Sequence, residues 1–433
     1  MPTISVEQNL IAKLLNVHSL NHDVAEIADK LPLLGTDIDR CDEQMLDIEI
    51  FPNRPDLLSG ETLTRAIRNF IHHQDSEPDI DVAKGNVTMI VDPELRKIRP
   101  VILGAIVRGV NLNKLGIKSD EFVKSLMDHQ EKLHFALGRG RKRASIGVHD
   151  LSKISPPFTV KAVSGSTEFI PLSMSDSMSI KDILVNHPKG VEYAHLLEGF
   201  DKFPIITDAN EQILSSPPII NGNHTAVTGE TKDFFIDVTG WDFRACEASL
   251  MLIALQLKEY GGVIENIEIT DCHGHTNTYP DGTSVTHKLP IEVIDGLLGI
   301  SLSDEALAAA INRMGGKFIA RHADEIIIKM PRWRFDILHS VDLVEDIAIG
   351  HGYEDLGQDI PQSPLTAKPR QDANLIRRIS SSMQSLGMMQ IQSLTLSNDD
   401  DQFNLVRWDN VDEVTRITNP ITIDHTLLRQ YLL

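Results

Sequence analysis

The segment 331–353, PRWRFDILHSVDLVEDIAIGHGY, most constrains how this chain folds, because it joins an apolar helical stripe to clustered acidic residues. The pattern predicts a helix that begins near Leu338. Its apolar face consists of Val341, Val344 and Ala348. Such a face suits packing against a core. The segment therefore predicts a helix that is buried on one side.

Four carboxylates belong to the same segment: Asp336, Asp342, Glu345 and Asp346. The last three share a helix face, because residues three and four apart are neighbours, and Asp336 can fold back toward them. Clustered carboxylates repel one another, and their hard oxygen ligands suit Mg²⁺. A solvated acidic face is the alternative, since most charge runs are solvated. Spacing alone leaves both readings open.

Composition predicts a multidomain globular protein. The 433 residues are enough for two to four domains. Hydrophobic residues make up 41% and charged residues 24%, which is ordinary for a globular chain. The three widely spaced cysteines indicate a reducing cytoplasm rather than a disulfide framework. We expect neither a secretory signal nor a membrane span.

The net charge of −21 argues against general nucleic-acid binding, because a phosphate backbone demands positive charge on the protein. Any such contact must be local or shared with a partner chain. The dense basic cluster at residues 139–143 is a candidate for it, and a solvated loop is the alternative.

The order of predicted elements indicates an α+β chain. We place an N-terminal domain at 1–90, a central domain at 91–275, a small domain at 280–357 and a last, partial domain at 366–433. Expected helices cover 5–16, 24–31, 59–70 with Ser59 as its cap, 120–137, 243–259 and 373–386. Another helix is expected from the N-cap Ser303 to Met314, and a final one from near Asp424. Expected strands cover 46–51, 101–109, 144–149, 234–239, 325–330 and 390–397. Residues 358–370 are predicted to form a linker.

Two central stretches could line a pocket. The rigid turn at 214–221 presents Ser215 and Asn221, and the strand end at 236–240 places Asp237 and Thr239 on one side. These groups suit a polar-lined site for a small ligand. Alternatively, Asp237 and Thr239 satisfy turn backbone groups.

A second candidate site is the sequence Cys-His-Gly-His at 272–275, which could bind a soft metal. It has no second Cys/His pair at zinc spacing, which favours a plain loop.

Taken in order along the whole chain, these stretches resemble the β subunit of phenylalanyl-tRNA synthetase of the archaeal and eukaryotic type. The resemblance is carried by the motifs NRPDL and GE at 53–61, HPKG at 187–190, YAHLLEGF at 193–200, PPIIN at 217–221 and IDVTG at 236–240. The last domain resembles the start of a catalytically inert copy of the class II synthetase module. Its Leu427-Leu-Arg429 motif lies just before the sequence stops, so we expect a C-terminally truncated form.

The resemblance implies that the central domain edits: it hydrolyses tyrosine mistakenly esterified to the tRNA. A second site is needed because an apolar pocket rejects an added hydroxyl poorly. By position, the resemblance assigns Ser215, Asn221, Asp237 and Thr239 to the editing pocket. His149 and Arg139 are weaker candidates, for the tRNA end.

The resemblance also implies partners. The α subunit would join phenylalanine to its tRNA using ATP, in a cytoplasmic heterotetramer of two α and two β chains. Asp336, Asp342, Glu345 and Asp346 would bind Mg²⁺ shared with the α subunit, and the small domain would have a DNA-binding-like fold.

Two rival functions are open. One is a non-catalytic scaffold that only positions the α subunit and the tRNA. The other is DNA binding by the small domain, which the net charge of −21 opposes.

Overall fold

A computed structural model of the chain describes residues 2–356, 367–409 and 413–431. The chain divides into two compact units, residues 1–358 and 359–433, and each is described by itself. Within the described ranges, no helix has both the length and the apolar character that crossing a membrane requires. The predicted linker at 358–370 lies mostly outside these ranges.

The first unit begins with a small sheet of order β1-β3-β2, formed by β1 (Thr3–Glu7), β2 (Thr36–Cys41) and β3 (Met45–Ile50). Three helices accompany it: α1 (Gln8–Asn16), α2 (Val24–Lys30) and α3 (Gly60–Phe70). The helix predicted at 5–16 begins only at Gln8. The preceding residues alternate between exposed and buried positions and pair with β3, as a strand does. The predicted cap is confirmed, because the Ser59 hydroxyl accepts from the Thr62 backbone N–H at 3.1 Å.

A large mixed sheet follows in the same unit. Its strands are β4 (Thr88–Val91), β5 (Val101–Arg108), β6 (Ala144–Asp150), β7 (Phe158–Ser164), β10 (Lys202–Thr207), β11 (Ile213–Ser216), β12 (Ile220–Asn221), β13 (Phe234–Gly240), β14 (Val263–Thr270) and β15 (Thr276–Tyr279). A separate hairpin pairs β8 (Glu168–Phe169) with β9 (Met178–Ser179). The large sheet has the order β12-β11-β10-β7-β4-β14-β5-β13-β6, and β15 pairs with β14.

Four helices belong to this central part: α4 (Ser119–Phe135), α5 (Ile180–Asn186), α6 (Pro188–Tyr193) and α7 (Phe243–Glu259). Every residue of α7 from 245 to 257 except Glu247 is buried, which fits its nearly continuous apolar sequence. It packs with Leu15, Phe70 and Leu133 in one hydrophobic cluster. Residues on both sides of the predicted boundary at 90 therefore share a core.

The first unit ends in a three-stranded sheet of order β16-β18-β17: β16 (Val285–Pro290), β17 (Lys317–Arg321) and β18 (Glu325–Met330). Its helices are α8 (Ile291–Leu298), α9 (Asp304–Arg313) and α10 (Ser340–His351). Leu343, Val344 and Ile347 of α10 join a separate apolar cluster here. This confirms that the acidic helix is buried on one side, although Val341, predicted on the buried face, is half exposed.

The second unit contains α11 (Ala373–Ser385) and a two-stranded pair, β19 (Leu396–Ser397) and β20 (Leu427–Leu428). The prediction of α11 is confirmed. The predicted final helix from Asp424 is wrong, because Thr426 donates its backbone N–H to Ser397 and Leu428 donates to Thr415, as in extended pairing. Only the end of the strand predicted at 390–397 is a strand.

Candidate functional site

A cavity of about 560 Å³ opens beside the large sheet, between β6, β13, α4 and the β11–β12 turn. Its volume lies in the range of small-molecule sites. Apolar side chains form much of its wall, among them Met127, Ile146, Val148, Met174, Pro217 and Ile219. The polar side chains that line it include Ser215, Asn221, Thr225 and Asp237. Three of the four predicted pocket residues therefore share one cavity.

Asp237 lies at the centre of β13, with Gly147 directly opposite it on β6 and Gly104 opposite it on β5. Its side chain is only 2% exposed. A Cβ atom on Gly147 would lie 2.1 Å from Asp237 Oδ2, so only glycine leaves room for this carboxylate. The strand sequences thus make space for a buried charge on the cavity wall.

His149 lies behind Asp237 and is fully buried. Its Nε2 is 2.8 Å from Asp237 Oδ2, and its Nδ1 is 2.8 Å from Thr225 Oγ1. A ring without solvent exposure does not reach an approaching tRNA end, the role for which sequence made it a candidate. The structure instead places it against the cavity carboxylate.

Ser215 and Asn221 are cross-strand neighbours in the β11–β12 pair. Asn221 is partly buried, and its amide lies 3.5 Å from the Val148 carbonyl, which is a weak hydrogen bond. Ser215 Oγ is buried and has no hydrogen-bond partner in the described chain. A buried polar atom without a partner is costly, so a ligand that meets Ser215 Oγ would remove that cost.

Thr239 shares the face of Asp237, as its spacing predicted, but it does not line the cavity. Its hydroxyl and its carbonyl both accept from the Arg99 guanidinium, at 2.7 Å each. Burial lowers the pKa of Arg99 to about 10. Arg99 also donates to the Arg141 carbonyl at 2.9 Å, so Thr239 supports the cavity wall from behind.

Arg141 lines the cavity and was not singled out from the sequence. Its Nη1 donates to the Ile219 carbonyl at 2.8 Å, its Nη2 to Glu131 at 2.7 Å, and its guanidinium lies 4.2 Å above the Tyr193 ring. Arg141 Nε is buried and lacks a partner among the described residues. The basic run 139–143 was the available signal, but the sequence could not show that Arg139 is exposed while Arg141 is buried.

Glu131 pairs with Arg141 on the cavity wall, and we call this ion pair the cavity clamp. Burial opposes its ionisation, but its contacts with His134 and Arg141 outweigh burial and lower its pKa to about 2. The pair with Arg141 therefore stays charged at neutral pH.

The acidic segment is organised around a buried arginine. Arg334 donates from Nη2 to Asp336 at 2.6 Å and to Asp346 at 2.8 Å, and from Nη1 to the Met314 carbonyl at 2.9 Å. Burial raises the pKa of Asp346 to about 6. The charge of Arg334 opposes this rise, but Arg334 also pairs with Asp336. Asp346 Oδ2 is buried without a hydrogen-bond partner among the residues described.

The other two predicted metal ligands point elsewhere. Asp342 accepts from the Leu338 and His339 backbone N–H groups at 2.7 and 2.6 Å, at the start of α10. Glu345 is exposed. Across the described ranges, no three His, Cys, Asp or Glu side chains converge on a metal position. Within this chain the four carboxylates do not fit a Mg²⁺ site, and the shared magnesium stays a prediction.

Residues 272–275 likewise belong to no cluster of three metal-ligating side chains in the described part of the chain. Cys272 is buried, with its thiol 3.5 Å from the Pro100 carbonyl, and His273 and His275 donate backbone N–H groups to Asp271. A structured loop is the better interpretation.

Comparisons with known proteins agree with this architecture. The family model of the B3/4 domain matches residues 103–255, which contain the cavity, and that of the tRNA synthetase B5 domain matches residues 287–353, which contain the acidic helix. The model of the phenylalanyl tRNA synthetase beta chain CLM domain matches residues 356–433. Together they define a subunit of an aminoacyl-tRNA synthetase.

Whole-chain relatives sharpen this class. The phenylalanine–tRNA ligase beta subunit of Methanococcoides burtonii is 38% identical over 437 residues, covering 100% of this chain and 78% of the relative. That of Methanosarcina barkeri is 39% identical over 435 residues, covering 100% and 77%. The chain belongs to the phenylalanine–tRNA ligase beta subunit family.

A solved structure shows the same fold. The N-terminal fragment of the phenylalanyl-tRNA synthetase beta subunit from Pyrococcus horikoshii superimposes with a TM-score of 0.74 at 30% identity, covering 81% of this chain and 100% of that chain.

Proposed function

We propose that this chain is the β subunit of a phenylalanine–tRNA ligase and that its central cavity hydrolyses tyrosine mistakenly attached to the tRNA. The observation that carries the proposal is the cavity itself, where the buried Asp237 carboxylate and the unpartnered Ser215 hydroxyl share one wall. Ser215 Oγ lacks a hydrogen-bond partner among the described residues, and His149 binds only one of the two Asp237 oxygens.

The chemistry asked of the cavity is ester hydrolysis. Water must be held near the ester carbonyl, and a nearby carboxylate can accept its proton. Asp237 can be this proton acceptor, because His149 binds only its Oδ2 and no described residue donates to its Oδ1. A pocket with unpaired polar groups binds a ligand with a phenol hydroxyl more tightly than the analogue without it, because the analogue leaves those groups unpaired. Ser215 Oγ and Arg141 Nε are such groups.

Local positive charge suits the tRNA end. Arg139 and Lys142 are exposed on either side of Arg141, which lines the cavity, and Lys189 lines the cavity too. Positive charge confined to one place is what an acidic chain needs to meet a phosphate backbone.

Exposed apolar groups support a partner subunit. Leu338 and Val341 of the acidic segment are half exposed, as are Leu375 and Ile376 of α11 in the second unit. Exposed apolar patches mark interaction sites. We assign them to the α subunit of an α₂β₂ assembly, which would use ATP and Mg²⁺ in the cytoplasm.

Replacing Asp342 and Glu345 by alanine should weaken assembly or the Mg²⁺ dependence of ligation. If both are unchanged, the shared-metal assignment is wrong.

Mischarged tyrosyl-tRNA tests the editing proposal. The chain should speed release of tyrosine, and Asp237→Asn should slow that release by about 10²-fold or more, since a positioned general base contributes that much. Asp182→Asn, a change on the surface, is the control. If the chain does not accelerate release, it is a non-catalytic scaffold.

A further inference from the structure

His149 is a buried ionisable side chain whose position the proposed function has not yet used. It lies directly opposite Phe235 in the β6–β13 pair and stacks on that ring, with centroids 5.7 Å apart. Asp237 is two residues further along β13, so the imidazole reaches it diagonally across the two strands. Sheet register thus fixes the ring in one place.

The hydrogen bonds around the ring determine which nitrogen carries the proton. A lone pair on Nε2 would face a carboxylate oxygen at 2.8 Å, so Nε2 is the N–H that donates to Asp237. On the other side, Thr225 Oγ1 lies 2.8 Å from Nδ1 and 3.0 Å from the Gly222 carbonyl. The Thr225 proton goes to Nδ1 when the ring is neutral and to Gly222 when it is charged. Nε2 donates to Asp237 in both states.

The same contact leaves the rest of the carboxylate available. His149 occupies Oδ2, and Gly147 provides the space that Oδ2 needs. Arg99 donates to the hydroxyl and the carbonyl of Thr239 rather than to Asp237. Among the described residues, no second donor competes for Oδ1.

We propose that His149 is a positioning residue, which holds Asp237 by one carboxylate oxygen and directs the other toward the cavity. This inference rests on the proposed editing function. Without the imidazole N–H, the buried carboxylate would rotate or take up a proton, and it would no longer present a fixed acceptor to water. His149 is fully buried and does not line the cavity, so it acts through Asp237.

A matched pair of variants tests the role. In His149→Gln the side-chain amide reaches as far as Nε2 and can still donate to Asp237, whereas in His149→Asn it ends near the position of Nδ1 and cannot. Phe235→Leu is a control that removes the stacking ring but leaves the hydrogen bond. The measurement is steady-state deacylation of tyrosyl-tRNA by the full chain, with thermal unfolding of every variant.

We expect His149→Asn to lower kcat by about 10- to 100-fold, the range for a lost hydrogen bond to a charged group, with KM within about twofold. His149→Gln should recover most of kcat. Equal kcat for the two variants, or a change confined to KM, overturns the inference while the editing proposal stands. If a variant at 149 does not fold, Thr225→Val, which removes the hydrogen-bond partner of His149 Nδ1, must lower kcat, and an unchanged kcat overturns the inference. A wild-type chain without deacylation removes the editing proposal and this inference together.

Discussion

The cavity and the acidic segment 331–353 both hold carboxylates largely away from solvent, but those carboxylates have different partners. Asp237 is held by an imidazole through one oxygen and lines a cavity of about 560 Å³. Asp336 and Asp346 share the Arg334 guanidinium, which also donates to a backbone carbonyl. A carboxylate with one oxygen free of protein donors can bind a ligand. A carboxylate that pairs with a buried cation stabilises the fold instead.

The largest test of this contrast is Arg334→Leu. It leaves the buried Asp346 and the largely buried Asp336 without their cation, which we expect to cost about 3–5 kcal/mol of the free energy of unfolding. Arg321→Leu, which breaks the exposed pair with Asp304, is the matched control and should cost far less. Urea unfolding measures both. Similar losses for the two variants would show that Arg334 does not brace the fold.

Gly147→Ala tests the cavity side. The new Cβ would lie 2.1 Å from Asp237 Oδ2 and 2.9 Å from His149 Nε2, so the pair must move. We expect a loss of about 1–3 kcal/mol in stability, typical of overpacking, together with loss of deacylation.

Gly104→Ala is its control. Gly104 lies on β5, the strand on the other side of Asp237. The new Cβ would lie 2.6 Å from Ile267 Cδ1, so this variant should destabilise the chain while retaining deacylation. If both alanines abolish deacylation, the defect is general strain in the sheet rather than displacement of Asp237.

The sequence predicted local elements well because their signals are local. Ser303 caps α9 as expected, and the apolar run of α7 placed that helix at its observed bounds. The surroundings of the sites depend on distant residues instead. Period-two spacing placed Asp237 and Thr239 on one face, but Arg99, 140 residues from Thr239 in sequence, decides that only Asp237 meets the cavity.

The acidic helix shows the same limit. Helical spacing put Asp342, Glu345 and Asp346 on one face, but it could not show that a buried face begins between Glu345 and Asp346. Arg334 lies two residues before Asp336 in the sequence, but its role depends on its burial, which spacing does not show. Pattern predicts neighbours along an element, whereas burial decides which neighbours interact.

Asp342 and Glu345 separate the carboxylates that support the helix from those that do not. Asp342→Ala removes the acceptor for two backbone N–H groups at the start of α10 and should cost about 0.5–2 kcal/mol. Glu345→Ala changes an exposed side chain and should leave the unfolding transition of the isolated chain unchanged. Thermal unfolding of both variants decides the matter, and a destabilised Glu345 variant would contradict the structure.

The smallest expected effect concerns the cavity clamp. Because the pKa of Glu131 is lowered in the folded chain, from 4.5 to about 2, its ionised form stabilises the fold above pH 4.5, and that contribution disappears as the pH falls toward 2. Glu131→Gln should therefore be less stable than the wild type at pH 6, by under about 1 kcal/mol because the side chain is half exposed. The difference should shrink on acidification. Glu211→Gln, at a more exposed pair with Lys161, should show a smaller difference at every pH. A Glu131 difference that grows below pH 4.5 would mean that Arg141 clamps the wall without this ion pair.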